Sequence, residues 1–165
     1  MTNSIHIEPL DAAAFAPFGD VLEVAGEPAK IINQGLCGRY HDLATLDFAG
    51  AGARAGVSLF LSEKRTLPYR LDMVERHPLG SQAFLPMTYE PFLVIACPDE
   101  DGRPGRPRAF MTAPGQGINF RRNTWHGVLT PLSEPGLFAV VDRIGDGDNL
   151  EEVRFDTPYV VVSTP

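Results

Sequence analysis

YRLDMVERHPLGSQAF, residues 69–84, decides the fold: an alternating strand pattern runs into a glutamate and a histidine and then stops at Pro-Leu-Gly. Side chains of a strand alternate between two faces. Tyr69, Leu71, Met73, Glu75 and His77 therefore share one face, and Arg70, Asp72, Val74 and Arg76 share the other. The apolar start of the first face predicts that it is buried, which carries Glu75 and His77 toward an interior or its mouth. Glutamate is almost never fully buried without a partner, so the stretch is a candidate site. The competing reading is a strand that leaves the core by residue 75, with both groups on a solvated rim before the turn.

Working outward, short apolar or alternating runs recur at 19–24, 30–34, 56–62, 67–77, 82–87, 91–97, 108–112, 117–120, 124–129, 137–143 and 159–163. Turn clusters such as PDEDGRPGRP and GDGDN separate them. The 16 glycines and 15 prolines are scattered along the chain, which suits many short strands and no long helix. Only DAAAFAPF, residues 11–18, has helical character, with Asp11 placed to cap it and Pro17 and Gly19 to end it. AGAGARAG, residues 49–56, reads as a flexible surface loop. The expectation is an all-β barrel or sandwich forming one domain over residues 1–165, long enough to bury a sizeable core.

Composition narrows the function. A net charge of −7, from 21 acidic against 14 Lys and Arg residues, lacks the footprint of a nucleic-acid binder. An anionic ligand would need a local arginine cluster. Cys37 and Cys97 form no C-x-x-C pair, which argues against a disulfide scaffold or cysteine zinc site and fits a reducing compartment. The start MTNSIHIEPL lacks the features of a signal peptide, and no run of about 18 apolar residues exists to span a bilayer. A cytoplasmic protein without membrane or nucleic-acid partners is expected.

A second site-like stretch, GINFRRNTWHGVL at 117–129, gathers Arg121, Arg122, Asn123, Trp125 and His126 between apolar segments. A hairpin loop with one satisfied histidine is its bland reading. RYHD at 39–42 brings Arg39 and His41 together, as a polar loop over a barrel mouth also would. GDGDN misses the calcium-loop register, and PGQG at 114–117 lacks the helix of a phosphate cradle. Asp142 and Arg143 read soberly as an ion pair fixing a strand end.

Together, the two polar stretches resemble the paired motifs of the cupin superfamily, small β-barrels with an internal site. Glu75 stands at the first histidine position of the first motif, His77 at the second, Gln82 at the glutamate and His126 at the histidine of the second motif. With two of four ligand types changed, the resemblance implies a site that can hold a divalent transition metal such as Ni2+ but does not require it. ERHPLGSQAFLPM, with INQGLCGRYHDLA at 32–44, RNTWHGVL at 122–129 and VDRIGDGDN at 141–149, is similar to the ureidoglycolate lyase family of allantoin degradation in purine metabolism. That resemblance implies a cupin-like antiparallel β-barrel or jelly roll with one or two short helices. It also implies a cytoplasmic homodimer and a carbon–nitrogen lyase of the amidine-lyase class, which eliminates urea from (S)-ureidoglycolate to give glyoxylate.

Such an elimination needs a base for the substrate hydroxyl, an acid for the departing urea nitrogen and cations for the carboxylate. Glu75, His77 and His126 are the candidate catalytic groups. His77 and His126 compete for the acid role. Arg122, with Arg39 or Arg143, suits the substrate carboxylate; Gln82 and Asn123 suit the ureido group, and His41 belongs to the same binding set. Two alternatives stay open: a metal-dependent oxygenase or isomerase with His77, Gln82 and His126 as ligands, and a non-catalytic cupin that binds a small carboxylate.

Overall fold

The computed structural model describes residues 3–164. Chain order is β1 (Ser4–Pro9), the helix α1 (Ala12–Phe15), β2 (Gly19–Leu22), β3 (Lys30–Ile32), β4 (Cys37–Arg39), β5 (Arg54–Ser62), β6 (Tyr69–Arg76), β7 (Gln82–Pro86) and β8 (Phe92–Cys97). The second half holds β9 (Asp99–Glu100), β10 (Arg103–Pro104), β11 (Arg108–Met111), β12 (Gly117–Phe120), β13 (Trp125–His126), β14 (Thr130–Pro131), β15 (Gly136–Ile144) and β16 (Glu151–Val162). The all-β expectation is met, with a single short helix besides one 3-10 turn among the described residues.

β8 organises the rest. Its run FLVIAC has no polar side chain, and all six residues are buried. A strand apolar on both faces has to lie between two cores. β11, β1, β16, β6, β13 and β8 pair in that order, and β8 also pairs β11, so the six strands close into a barrel. Leu93 and Ile95 join Ile5, Leu71, Val74 and Trp125 inside this ring. Phe92, Val94 and Ala96 point the other way, to a second core shared with Phe84, Phe120 and Phe138. Those last three belong to a second sheet, ordered β2, β12, β7, β15, β5. The barrel is therefore cupin-like and closed, but mixed rather than wholly antiparallel, because β1 runs parallel to both β11 and β16.

α1 plugs one end of the inter-sheet core. Asp11 accepts a hydrogen bond from the Ala14 amide at 2.8 Å, as an N-cap should. Phe15 is fully buried and packs edge-on to Phe110 and tilted to Phe18 and Phe120.

Five expectations are corrected. Leu71 and Val74 lie three residues apart yet share the ring core, so alternation does not hold through β6. Met73 pairs with Arg154, but Leu71 pairs with Tyr159, and this irregularity leaves Asp72 without a partner. A bulge of this kind turns later side chains over relative to earlier ones. Glu75 thus does not continue the Leu71 face; it faces the inter-sheet core, opposite to Val74. The strand expected over 124–129 shrinks to β13, while β16 reaches back to Glu151 and β1 forms where no strand was expected. Finally, 49–56 is no free loop, since its last three residues belong to β5 and Ala49 accepts from the Arg143 guanidinium.

Replacing Phe15 by Ala should cost roughly 3–5 kcal/mol in urea unfolding, and Asp11 by Ala about 1 kcal/mol. A Phe15→Ala cost no larger than that of the cap would contradict the plug.

Candidate active site

The site grows from a three-strand alignment. Glu75 lies opposite His126 across β6 and β13, and His126 lies opposite Ala96 across β13 and β8. Directly opposed residues share a face. Ala96 belongs to the inter-sheet core, so Glu75 and His126 face it too. His126 is buried and stacks on Phe120, with ring centroids 4.2 Å apart and planes at 8°. His77 follows β6 and brings its ring to 5.3 Å from that of His126. Its Nε2 is 3.8 Å from a Glu75 carboxylate oxygen. One ligand-type atom from each of Glu75, His77 and His126 lies within 4.8 Å of the others. The sequence-predicted trio is brought together, at the margin of the inter-sheet core rather than inside the ring.

Backbone carbonyls set the imidazole tautomers. His77 Nδ1 lies 2.8 Å from the Asn149 carbonyl oxygen, and His126 Nδ1 lies 2.9 Å from that of Gly127. A carbonyl can only accept, so each Nδ1 carries a proton, and in the neutral ring it is Nε2 that keeps the lone pair. Both Nε2 atoms are buried and without a hydrogen-bond partner. Burial pushes the Glu75 carboxyl above its usual range; His77 offsets part of this, and Glu152 adds to it. Burial pushes His126 down to about 3, against a smaller upward pull from the Gly127 carbonyl and a further lowering by His77. An imidazole so hard to protonate stays neutral near neutrality and offers its Nε2 as an acceptor.

Loops build the mouth around the trio. Asn123, at φ 69, donates its amide to the His77 carbonyl at 2.9 Å. Asn149 also accepts from the Leu79 amide at 2.6 Å, so one asparagine holds both the His77 ring and the turn after it. Gly80 is required where it sits, because a Cβ there would lie 2.6 Å from that of Arg143.

The expected arginines fare differently. Arg122 lies in the mouth, 3.1 Å from the Asp47 carboxylate and partly exposed. Arg143 is buried, with its guanidinium donating to the Ala49 and Asp146 carbonyls, both at 2.6 Å. It fastens two loops of the mouth. Arg39 and His41 are exposed, on and beside a two-stranded arm of β3 and β4 that joins neither main sheet. Gln82 lies opposite Phe120 in the β7 and β12 ladder, hence on the site's face, and donates its amide to Asp142 at 3.2 Å. The expected Asp142 and Arg143 pair does not form, since neighbouring strand residues point to opposite faces. Asn149, Asp142 and Phe120 were missed. Asn149 meets His77 across 72 residues, and only its place in a turn was readable.

A closed cupin-like barrel with a carboxyl and two imidazoles gathered against a second sheet defines the class: a cupin-like β-barrel protein in which the ligand atoms of Glu75, His77 and His126 are close enough to hold a metal ion. The chain belongs to the ureidoglycolate lyase family, whose model matches residues 2–162. It is 63% identical over 157 residues to the ureidoglycolate lyase of Rhodobacter capsulatus, covering 95% of this chain and 97% of that one. It is 58% identical to that of Chelativorans sp. strain BNC1, covering 95% of both chains, and 54% identical to that of Mesorhizobium japonicum, covering 95% and 96%. Among the described residues, no helix is long and apolar enough to cross a membrane.

The depressed His126 has a definite sign. Its unfolded form takes up a proton near 6.5, while the folded form resists until about 3. Stability should therefore fall as pH drops through that window, by about 1.4 kcal/mol per pH unit from this group. Glu75 carries the opposite sign: its folded form holds the proton more tightly, so its contribution is lost as pH rises through its raised value. With chelator present, wild type unfolded in urea between pH 7 and 4 should lose stability relative to His126→Phe as pH falls. Parallel curves would contradict the burial of a neutral imidazole.

Proposed function

We propose that this chain releases urea and glyoxylate from ureidoglycolate by moving protons between the substrate and the Glu75–His77 pair. One observation carries the reading: two buried imidazole Nε2 lone pairs without partners lie beside a carboxyl whose proton affinity is raised by burial. His77 Nε2 takes the substrate's hydroxyl proton as the carbonyl forms and the carbon–nitrogen bond breaks. Glu75, holding its proton, gives it to the departing urea nitrogen. The imidazolium then returns a proton to Glu75 across the short gap between them, which restores both groups. His126, neutral throughout the working range, accepts a hydrogen bond from the substrate. Arg122, Asn123 and Gln82 at the mouth suit the carboxylate and the ureido group.

The same trio supports a second reading. Imidazole nitrogen and carboxylate oxygen fit a divalent transition ion such as Ni2+, and their atoms are close enough to share one. Bound there, an ion would supply positive charge for the substrate's oxygens. This suits a mouth in which Arg122 and Arg143 already have partners.

A homodimer in the cytoplasm completes the proposal. Val57, Leu59 and Leu61 are exposed on the edge strand β5, as a self-association surface requires. The free Cys37 and Cys97 suit a reducing compartment.

Coupled assays for urea and glyoxylate should show turnover by the wild type and a loss of about a hundred-fold to ten-thousand-fold in Glu75→Gln and His77→Gln. Unaltered turnover in folded forms of both variants would refute the acid–base assignment. Chelated protein should keep its turnover if protons alone do the work; loss on chelation with recovery on adding Ni2+ selects the metal reading.

A further inference from the structure

The side-chain amide that faces the site from the second sheet is held in a single orientation. Gln82 is buried, and its Nε2 lies 3.2 Å from Asp142 Oδ2. A carboxylate can only accept, so the nitrogen end of the amide has to face Asp142. The carbonyl end is then turned away, and Gln82 Oε1 is buried without any hydrogen-bond partner. An orphaned buried carbonyl costs free energy unless a donor reaches it. Gln82 lies opposite Phe120, and Phe120 carries the stacked His126, so this acceptor shares the face on which the imidazole lone pairs lie.

We propose that Asp142 is a positioning residue that fixes the site's preference for a ureido group. By holding the Gln82 amide it presents an acceptor, Oε1, to an N–H of the substrate's terminal ureido nitrogen. The inference rests on the lyase reading for its substrate, but the chemistry it names is general: a ligand end carrying N–H donors. A carboxylate or aldehyde oxygen placed against Oε1 would bring two acceptors together. The ureido end of the substrate and the urea product are therefore selected over glyoxylate at this position. Ser81, the residue before it, is tied to residue 47 from both sides: its amide donates to the Asp47 carbonyl and its hydroxyl accepts from the Asp47 amide, each at 2.9 Å. The backbone leading into Gln82 is thus held independently of Asp142, so loss of the carboxylate frees the amide rather than the strand.

Asp142→Asn tests this, because asparagine can donate as well as accept and lets the Gln82 amide turn over. Urea binding is followed by ligand-observed NMR, and urea and glyoxylate are compared as product inhibitors. Asp142→Asn should weaken urea binding and raise KM about tenfold, with kcat and glyoxylate inhibition changed by less than about twofold. The exchanged pair Gln82→Glu with Asp142→Asn restores a donor facing an acceptor, leaves one oxygen of the introduced carboxylate toward the site, and should recover urea binding. A folded Asp142→Asn protein that binds urea as the wild type does overturns the proposal, as does equal weakening of urea and glyoxylate. Should the single variant not fold, the exchanged pair decides: urea binding at wild-type strength supports the proposal and its loss overturns it. Failure of the lyase reading shows separately, as wild-type protein that releases no urea; urea binding is read regardless of turnover.

Discussion

Six residues without a polar side chain leave β8 no face that can meet water, and the chain must supply an apolar partner for each side. The ring strands cover Leu93, Ile95 and Cys97, and the second sheet with α1 covers Phe92, Val94 and Ala96. Both halves of the architecture answer this one demand. The site forms at the end of the same wall, where His126 takes the place beside Ala96. An imidazole entering there is stacked on Phe120 and stripped of solvent, which is why it resists a proton. Phe120 in turn packs against the Phe15 ring of the helical plug, so the packing of α1 bears on the His126 imidazole.

Polar groups in this setting act through their few remaining options. The carbonyls of Asn149 and Gly127 fill the Nδ1 positions of the two histidines, and the lone pairs at Nε2 are what is left. Asp142 fills the donor end of Gln82, and an acceptor is left. A charged partner would satisfy these atoms and remove their chemistry. Of the arginines of the mouth, Arg143 is drawn to loop carbonyls and holds the opening, while Arg122, paired with Asp47, stays partly exposed. With a chain net charge of −7, binding of an anion depends on this local arrangement rather than on a long-range field.

Much of the fold was legible because strand pattern is local. FLVIAC, GVSLFLS and LFAVVDR each became strands near their expected bounds, since short runs rich in β-branched and aromatic residues favour extended backbone, whether buried as FLVIAC is or at a sheet edge where Val57, Leu59 and Leu61 stay exposed. SIHIEP alternates polar residues with Ile5 and Ile7 but was passed over because it is short and carries only those two large apolar side chains; its stability comes from lying between β11 and β16. The face of Glu75 was misjudged for a related reason: the slip beside Asp72 belongs to the pairing with β16, which joins the chain some eighty residues later and leaves no mark in YRLDMVER itself. The Leu71 face was rightly taken as buried, and Glu75 is half-buried in the other core.

Taken alone, the sequence determined that the chain is built of short strands and carries the blocks of one enzyme family, and it singled out Glu75, His77 and His126 as candidate groups. These are properties of residue type and near-neighbour spacing, and the folded chain leaves them unchanged. Tertiary structure alone decided which atoms of those side chains are free. Hydrogen bonds are short and saturable, and the groups that saturate them, the Asn149 carbonyl for His77 and the Asp142 carboxylate for Gln82, come from far along the chain and meet their partners only when β15 and the loop after it close over the mouth.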